Sequence, residues 1–571
     1  MVKDFEDCFT EGETERRGHH EEAKSYQISF IKEVKSLTSV IENMGNPFTE
    51  ETVDLLVLDT RDIADDDVIK TVREIEALGQ QQFQSTFQSE RLKEHKMSLR
   101  DPIKKNKLSL FRSPNRKEPS KEKQQISSLK SDCALFSRLY ISCQTRNGDL
   151  DNFFMHENQG CPPSLSQNGK LRLPSKKSDI LDGLKSLSPP STSVPSSVDA
   201  RILDGAAIGQ LQHVLRVDVV FDEYIANSLK ATTRSKRGKG VRRRVQSSTL
   251  VPKNWRDFLR VDANKKELFV FLAEQIPLVD FGQVRQVIIT KGDQVVCSPP
   301  SSDTLGLAPC NREEADTRIF VHVADAVQAG YGKIAIRTVD TDVIVIGIAV
   351  VTSLPSTELW VLFGTGTNLR SFAIHDIANS LGPDKSRSLP VFHALTGCDT
   401  VSCFSGIGKK TAWATWMLDD EVTAAFLGCS MSSDDISERF VVLLYDRFST
   451  KSLVNEARKQ LFAQKGRSLE AIPPTQAALT QHVKRAVFQG GHCWGQAVLP
   501  QMTLPCPSEW GWKQSPIGWQ PLWTTLPDIS TSCDALIRCS YKKGCRSRCS
   551  CVKAALKCTA LCVCGGECSM E

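Results

Sequence analysis

The sequence predicts an α/β protein built on a parallel sheet flanked by helices, and three observations carry that reading. After residue 198, short β-rich runs alternate with helical stretches, as in a parallel sheet covered on both faces. Three of the apolar runs end in acids: RILD at Asp204, VDVVFD at Asp222 and KIAIRTVDTD at Asp340 and Asp342. With 571 residues, 40% of them apolar and 24% charged, the chain can also fill more than one core.

Residues 1–185 read as helical or poorly ordered. Stretches 26–44 and 62–91 have helical spacing, 55–59 (LLVLD) reads as a short strand, and 99–130 turns basic and polar. Serine and proline dominate 186–198, which predicts a linker. The main domain is expected over 199–425, with strands at 200–203, 217–221, 284–290, 333–339 and 359–363 and helices at 265–275, 315–329 and 374–381. Residues 426–530 read as a helical extension, for instance at 477–488, that becomes rich in tryptophan and proline; 533–571 is a Cys-rich module.

The longest apolar run, 343–351, has nine residues, against the roughly 20 that a bilayer crossing needs. The opening MVKDFEDCF is charged where a secretory signal is apolar. An intracellular, non-membrane protein is expected. The net charge of +5 is modest for this length, yet eight cations and no acid fall between Lys230 and Arg244. Such a run reads as a polyanion contact, a nuclear-import signal or a solvated face, and these readings can coexist.

In an open α/β sheet the ligand crevice lies outside the carboxyl ends of the strands, so an acid that follows a strand points toward it. Asp204, Asp222, Asp340 and Asp342 do so, the last two expected on one side of an extended chain. Glu314 and Asp316 open the predicted helix in EEADTRIF, and Asp399 sits in GCDTVSCFSGIGKK. Any one of these acids is more ordinary as a solvated loop or helix-capping residue. Seven together suit hard cations such as Mg²⁺ or Mn²⁺, because a two-ion site needs several carboxylates to balance its charge. Gly406, Gly408, Lys409 and Lys410 form a turn whose backbone can approach a phosphate and whose lysines add charge, although it could equally be a plain turn between helices. His375 and His393 read as packing or surface histidines. Cys398 and Cys403 read as structural thiols.

The stretches ILDGAAI, VVFDEYIANSLKATTRSKR, EEADTRIF, TVDTDVIVIG and GCDTVSCFSGIGKK resemble, in order, the flap-endonuclease branch of the PIN-like nuclease superfamily. The resemblance implies a two-ion Mg²⁺ or Mn²⁺ site formed by Asp204, Asp222, Glu314, Asp316, Asp340, Asp342 and Asp399. It places Lys230, Arg234 and Arg237 near the scissile phosphate and gives the GIGKK turn to the nucleic-acid backbone. The step from Asp204 to Asp222 is shorter than in that family. A PIN-like scaffold that binds DNA, RNA or chromatin without cutting is therefore the alternative to a nuclease.

Nine of the 20 cysteines fall between Cys533 and Cys568. Close thiolates with CxC steps suit zinc clusters better than disulfides in a reducing compartment. The segment resembles the tesmin-type CXC domain, which implies two or three zinc ions on Cys539, Cys545, Cys549, Cys551, Cys558, Cys562, Cys564 and Cys568, and a contact with DNA or chromatin proteins in the nucleus. Tyr541 stands where that pattern has a cysteine. The pairing of the two domains resembles a group of multicopy animal proteins whose copy number suggests mobile-element ancestry. The expected activity is phosphodiester hydrolysis on structured or single-stranded nucleic acid.

Overall fold

The computed structural model describes residues 24–44, 55, 63–64, 66–94, 96, 98, 140, 149–191, 195, 197–205, 214–225, 228–230, 242–247, 254–279, 286–301, 303–354, 357–418, 420–429, 438–464, 467–516, 518–527, 552, 558 and 562. The chain divides into two compact units, Met1–Lys117 with Gly238–Phe271 and Glu118–Arg237 with Leu272–Glu571. In the first unit the expected helices appear as Lys24–Met44, Asp66–Arg73 and Ile75–Gln82, followed by a π-helical stretch, Phe83–Lys93. The strand expected at 55–59 lies almost wholly outside the described residues. Arg242 and Arg244 both pair with Glu267, so part of the basic run is neutralised within this unit.

The second unit contains a seven-stranded sheet: β1 (Ala200–Asp204), β2 (Arg216–Val220), β3 (Gln286–Lys291), β4 (Gln294–Ser298), β5 (Lys333–Thr338), β6 (Glu358–Phe363) and β7 (Arg370–Ala373). Their spatial order is β4-β3-β2-β1-β5-β6-β7. The five inner strands are parallel, with β1 paired to β2 on one side and to β5 on the other. The two edge strands are antiparallel. All five expected strands of this unit are the parallel ones. The edge strands were not expected, because hairpin returns of four or five residues leave little periodic signal.

Helices cover the sheet: α1 (Ala315–Gln328), α2 (Thr341–Val351), α3 (Ile374–Leu381), α4 (Pro383–Leu395), α5 (Lys409–Trp416) and α6 (Gln476–Val487). The longest apolar run of the chain becomes α2, where Val343, Ile344, Val345, Ile346 and Ile348 are fully buried. A helix apolar on every side belongs in the middle of a core. Each such side chain contributes about 1.5–3 kcal/mol by burial. Among the described residues, no helix is long and apolar enough to cross a membrane.

Two expected boundaries do not hold. Residues expected to lie before a linker join the main core through Leu165, Ile180, Leu181 and Leu184. The Ser/Pro stretch itself pairs with the sheet, Ser191 exchanging backbone hydrogen bonds of 2.9 and 2.8 Å with Ser371 at β7. Composition favoured an extended chain there, and an extended chain can also add to a sheet edge. The stretch expected as an extension after residue 425 fills the same core with Phe440, Val441, Val454, Leu479 and Trp494. Trp494, Trp512 and Trp523 are buried packing residues.

A buried ionic network ties β2 to α1. Arg216 donates to both oxygens of Asp218 at 2.7 Å and to Asp325 at 2.7 Å, while His322 donates from Nδ1 to Asp218 at 2.7 Å. Burial opposes ionisation of Asp218, but the bonds from Arg216 and His322 outweigh it and hold the carboxyl below its usual range. Asp218→Asn removes one partner from a buried pair and is expected to lower unfolding free energy by about 3–5 kcal/mol in urea titrations. Burial also depresses the imidazoles of His322 and His482, the latter to about 3 from 6.5. Below pH 6.5 the unfolded chain takes up these protons before the folded one. Stability is therefore expected to fall as pH drops from 7 to 5, and His482→Gln should flatten that slope in denaturation curves.

Candidate metal centre

The chain moves outward from β1 through β2 to β3, then returns to β1's other side with β5, so the switch point lies between β1 and β5. Ligand crevices form at such points, outside the carboxyl ends of the strands. Asp204 is the last residue of β1, and Thr338, the last of β5, donates to it at 3.0 Å. The same hydroxyl accepts from the Asp340 amide at 3.0 Å. Gly205 must follow Asp204, since a Cβ there would stand 2.1 Å from the Phe221 ring.

Asp340 and Asp342 do not continue an extended chain as expected. The backbone turns into α2 at Asp340, which caps the helix by accepting from the Asp342 amide at 2.9 Å. The two acids then occupy the cap and first turn, where aligned peptide dipoles favour negative charge. Asp316 sits likewise in the first turn of α1. One oxygen from each of Asp316, Asp340 and Asp342 lies within 4.8 Å of the others, a set that could hold a metal ion. All three donors are carboxylate oxygens, which suit a hard divalent cation.

Lys177 enters the cluster from the one-turn helix Lys177–Asp179. Its Nζ lies 2.9 Å from Asp340, 3.3 Å from Asp342 and 3.3 Å from Asp399. Gly397 sets up the Asp399 loop with φ +109°, and a Cβ there would lie 2.9 Å from the Cys403 backbone. His393, fully buried on α4, donates from Nε2 to Asp342 at 3.1 Å.

Charge is unevenly compensated. Burial, followed by the neighbouring Asp340 carboxylate, pushes the Asp316 carboxyl well above its usual range. Burial and Asp342 also raise Asp340, against the pull of Lys177. Asp342 is held low despite burial, by the His393 hydrogen bond and then by Lys177. Burial would lower the Lys177 ammonium, but Asp342, Asp340 and Asp399 together hold it far above its ordinary value.

The other expected site residues are placed differently. Asp222 accepts from the Ala315 amide at 2.8 Å and from the Tyr224 hydroxyl at 3.2 Å, closing the N-terminus of α1. Glu314 stands at the N-cap position of that helix without a side-chain capping bond and pairs with Lys230. The Lys230 charge favours the ionised forms of both Asp316 and Asp342. Arg234 and Arg237 lie outside the described residues. Lys409, expected on a phosphate, is 2% exposed and points inward, donating to the His393 carbonyl and, at 2.9 Å, to the Thr396 hydroxyl. Burial pulls its pKa to about 7. Lys410 is exposed and pairs with Asp182 at 2.7 Å, between Gly406–Gly408 and the helix Ile180–Lys185. Of the cysteines expected to bind zinc, Cys558 and Cys562 are buried, and the rest lie outside the described residues.

Two residues were not predicted. Lys177 carries no signal in the sequence, because nothing local marks it as facing acids that lie far along the chain. His393 reads as a packing histidine, and only its bond to Asp342 separates it from one. No protein family, curated relative or solved structure matches the chain. Its chemistry therefore has to be read from its own residues.

Because His393 orients a candidate ligand from behind, His393→Ala is expected to weaken Mn²⁺ binding about 10–100-fold in calorimetric titration, in protein with an unchanged far-UV spectrum.

Proposed function

We propose that the protein is a divalent-metal-dependent nuclease that hydrolyses phosphodiester bonds at the cluster between β1 and β5. The observation that carries the reading is the convergence of Asp316, Asp340 and Asp342 to within 4.8 Å at the switch point of a parallel sheet. These acids would hold Mg²⁺ or Mn²⁺, with Asp204 and Asp399 at the margins. A bound divalent ion supplies an activated water and draws charge from the attacked phosphate. The chain's own part is to fix the ligands: α2 orients Asp340 and Asp342, α1 orients Asp316, and His393 locks Asp342 from the core. Lys230 can leave Glu314 for a phosphate oxygen and stabilise charge developing there.

The Cys-rich tail fits a zinc module that tethers the enzyme to nucleic acid or chromatin, and the basic run fits nuclear import. In this reading the substrate is DNA or RNA of single-stranded or branched form. A second reading, a scaffold that binds without cutting, is favoured by the inward turn of Lys409 and the pairing of Lys410, which remove two cations from the expected backbone grip.

The test is a cleavage assay with Mg²⁺ or Mn²⁺ on flap, nicked and single-stranded DNA and RNA. The wild type is expected to cut at least one of these, and Asp340→Asn/Asp342→Asn to lose cutting by about 100-fold or more, the scale seen when transition-state charge stabilisation is removed. Equal cleavage by the double variant rejects the site. Binding without cleavage by the wild type selects the scaffold.

A further inference from the structure

Lys177 differs from an ordinary surface lysine in how it is held. Its helix Lys177–Asp179 runs directly into Ile180–Lys185, where Ile180, Leu181 and Leu184 are buried in the main core. Gly183 lies so close to α5 that a Cβ would stand 2.7 Å from the Trp413 ring. The backbone that carries Lys177 is thus anchored by the packing of the adjoining helix Ile180–Lys185 rather than by the ion pairs themselves. Its side chain is only 22% exposed.

The contacts of the ammonium define a position. Three carboxylates lie 2.9–3.3 Å from Nζ, and the ammonium donates hydrogen bonds to Asp340 and Asp342 and forms an ion pair with Asp399. Two of them, Asp340 and Asp342, also belong to the triad with Asp316. The cluster therefore has two adjacent cation positions that share Asp340 and Asp342 as bridging acids. One is bounded by Asp399 and holds the lysine; the other is bounded by Asp316. In two-ion phosphodiesterases, such bridging acids hold cations about 3.5–4 Å apart.

We propose that Lys177 is a resident cation occupying the second of these positions, so that the site takes a single divalent ion, on the Asp316 side, with the ammonium as its fixed companion. The proposal rests on the metal-dependent reading above. Lys177 then sets the ion count: a strongly hydrated point charge that needs no binding equilibrium replaces an ion that would. Removing its charge leaves Asp340, Asp342 and Asp399 around a vacated oxygen-lined position, which a second divalent ion can fill.

The experiment is Mn²⁺ titration of the full chain by calorimetry and electron paramagnetic resonance, with ions bound elsewhere subtracted by means of Asp340→Asn/Asp342→Asn. The wild type is expected to hold one ion in the cluster and to show no spin coupling. Lys177→Met and Lys177→Gln should each hold two ions with a spin-coupled signal, and Lys177→Arg should stay at one. Two coupled ions in the wild type overturn the proposal without reference to any variant, as does a count of one in folded Lys177→Met and Lys177→Gln. A wild type that binds no more Mn²⁺ than the double aspartate variant overturns the metal reading and this proposal together, and so separates the two failures.

Discussion

Repulsion among carboxylates gathered at one sheet edge is the constraint that the surrounding structure answers. At an effective dielectric near 20, two unit charges about 4 Å apart interact by about 4 kcal/mol. A helix N-terminus returns only about 0.3–1 kcal/mol, or about 2 in a sheltered geometry. Two helix ends therefore cannot offset three or more acids, and a cation is needed. Lys177 supplies it for Asp340, Asp342 and Asp399. Asp316 lies beyond those contacts, and its carboxyl is the one pushed furthest toward the protonated form.

The helical stretch after residue 425 braces the loops that carry these acids. Thr400, beside Asp399, donates to Gln489 at 2.8 Å. Arg312, just ahead of Glu314, donates to the Leu499 carbonyl at 2.8 Å, and Asn311 accepts from the Met502 amide at 2.8 Å. The C-terminal end of α4, which holds His393, is closed from the same side: His482 donates to the Leu395 carbonyl at 2.9 Å. Lys409 does similar work for the His393 carbonyl. Burial beside neutral acceptors disfavours the charged form of Lys409 and pulls its pKa down to about 7, against the opposing pull of Asp342 and the neighbouring thiols. The two lysines of the GIGKK turn are thus divided between an inward structural role and a surface ion pair.

Much of the framework was legible. The five parallel strands announce themselves as short, largely apolar β-rich runs alternating with helical stretches, even though β2 carries the buried Arg216 and Asp218. The acids at their ends, Asp204, Asp340 and Asp342, were equally visible, and Asp316 followed from a helix start. The domain limits were not, because Leu165 or Trp494 enters a core only through contacts with residues hundreds of positions away.

By itself the sequence determined which segments become inner strands and that acids stand at the edge where those strands end, since both follow from local period and polarity. Tertiary structure alone decided which acids share an ion-sized space, that Asp222 closes a helix instead, that Lys409 turns inward and that Lys177 and His393 face Asp342. The reason is physical: a strand's burial is encoded in its own residues, whereas the sign and distance of a neighbouring charge depend on where the chain returns in space.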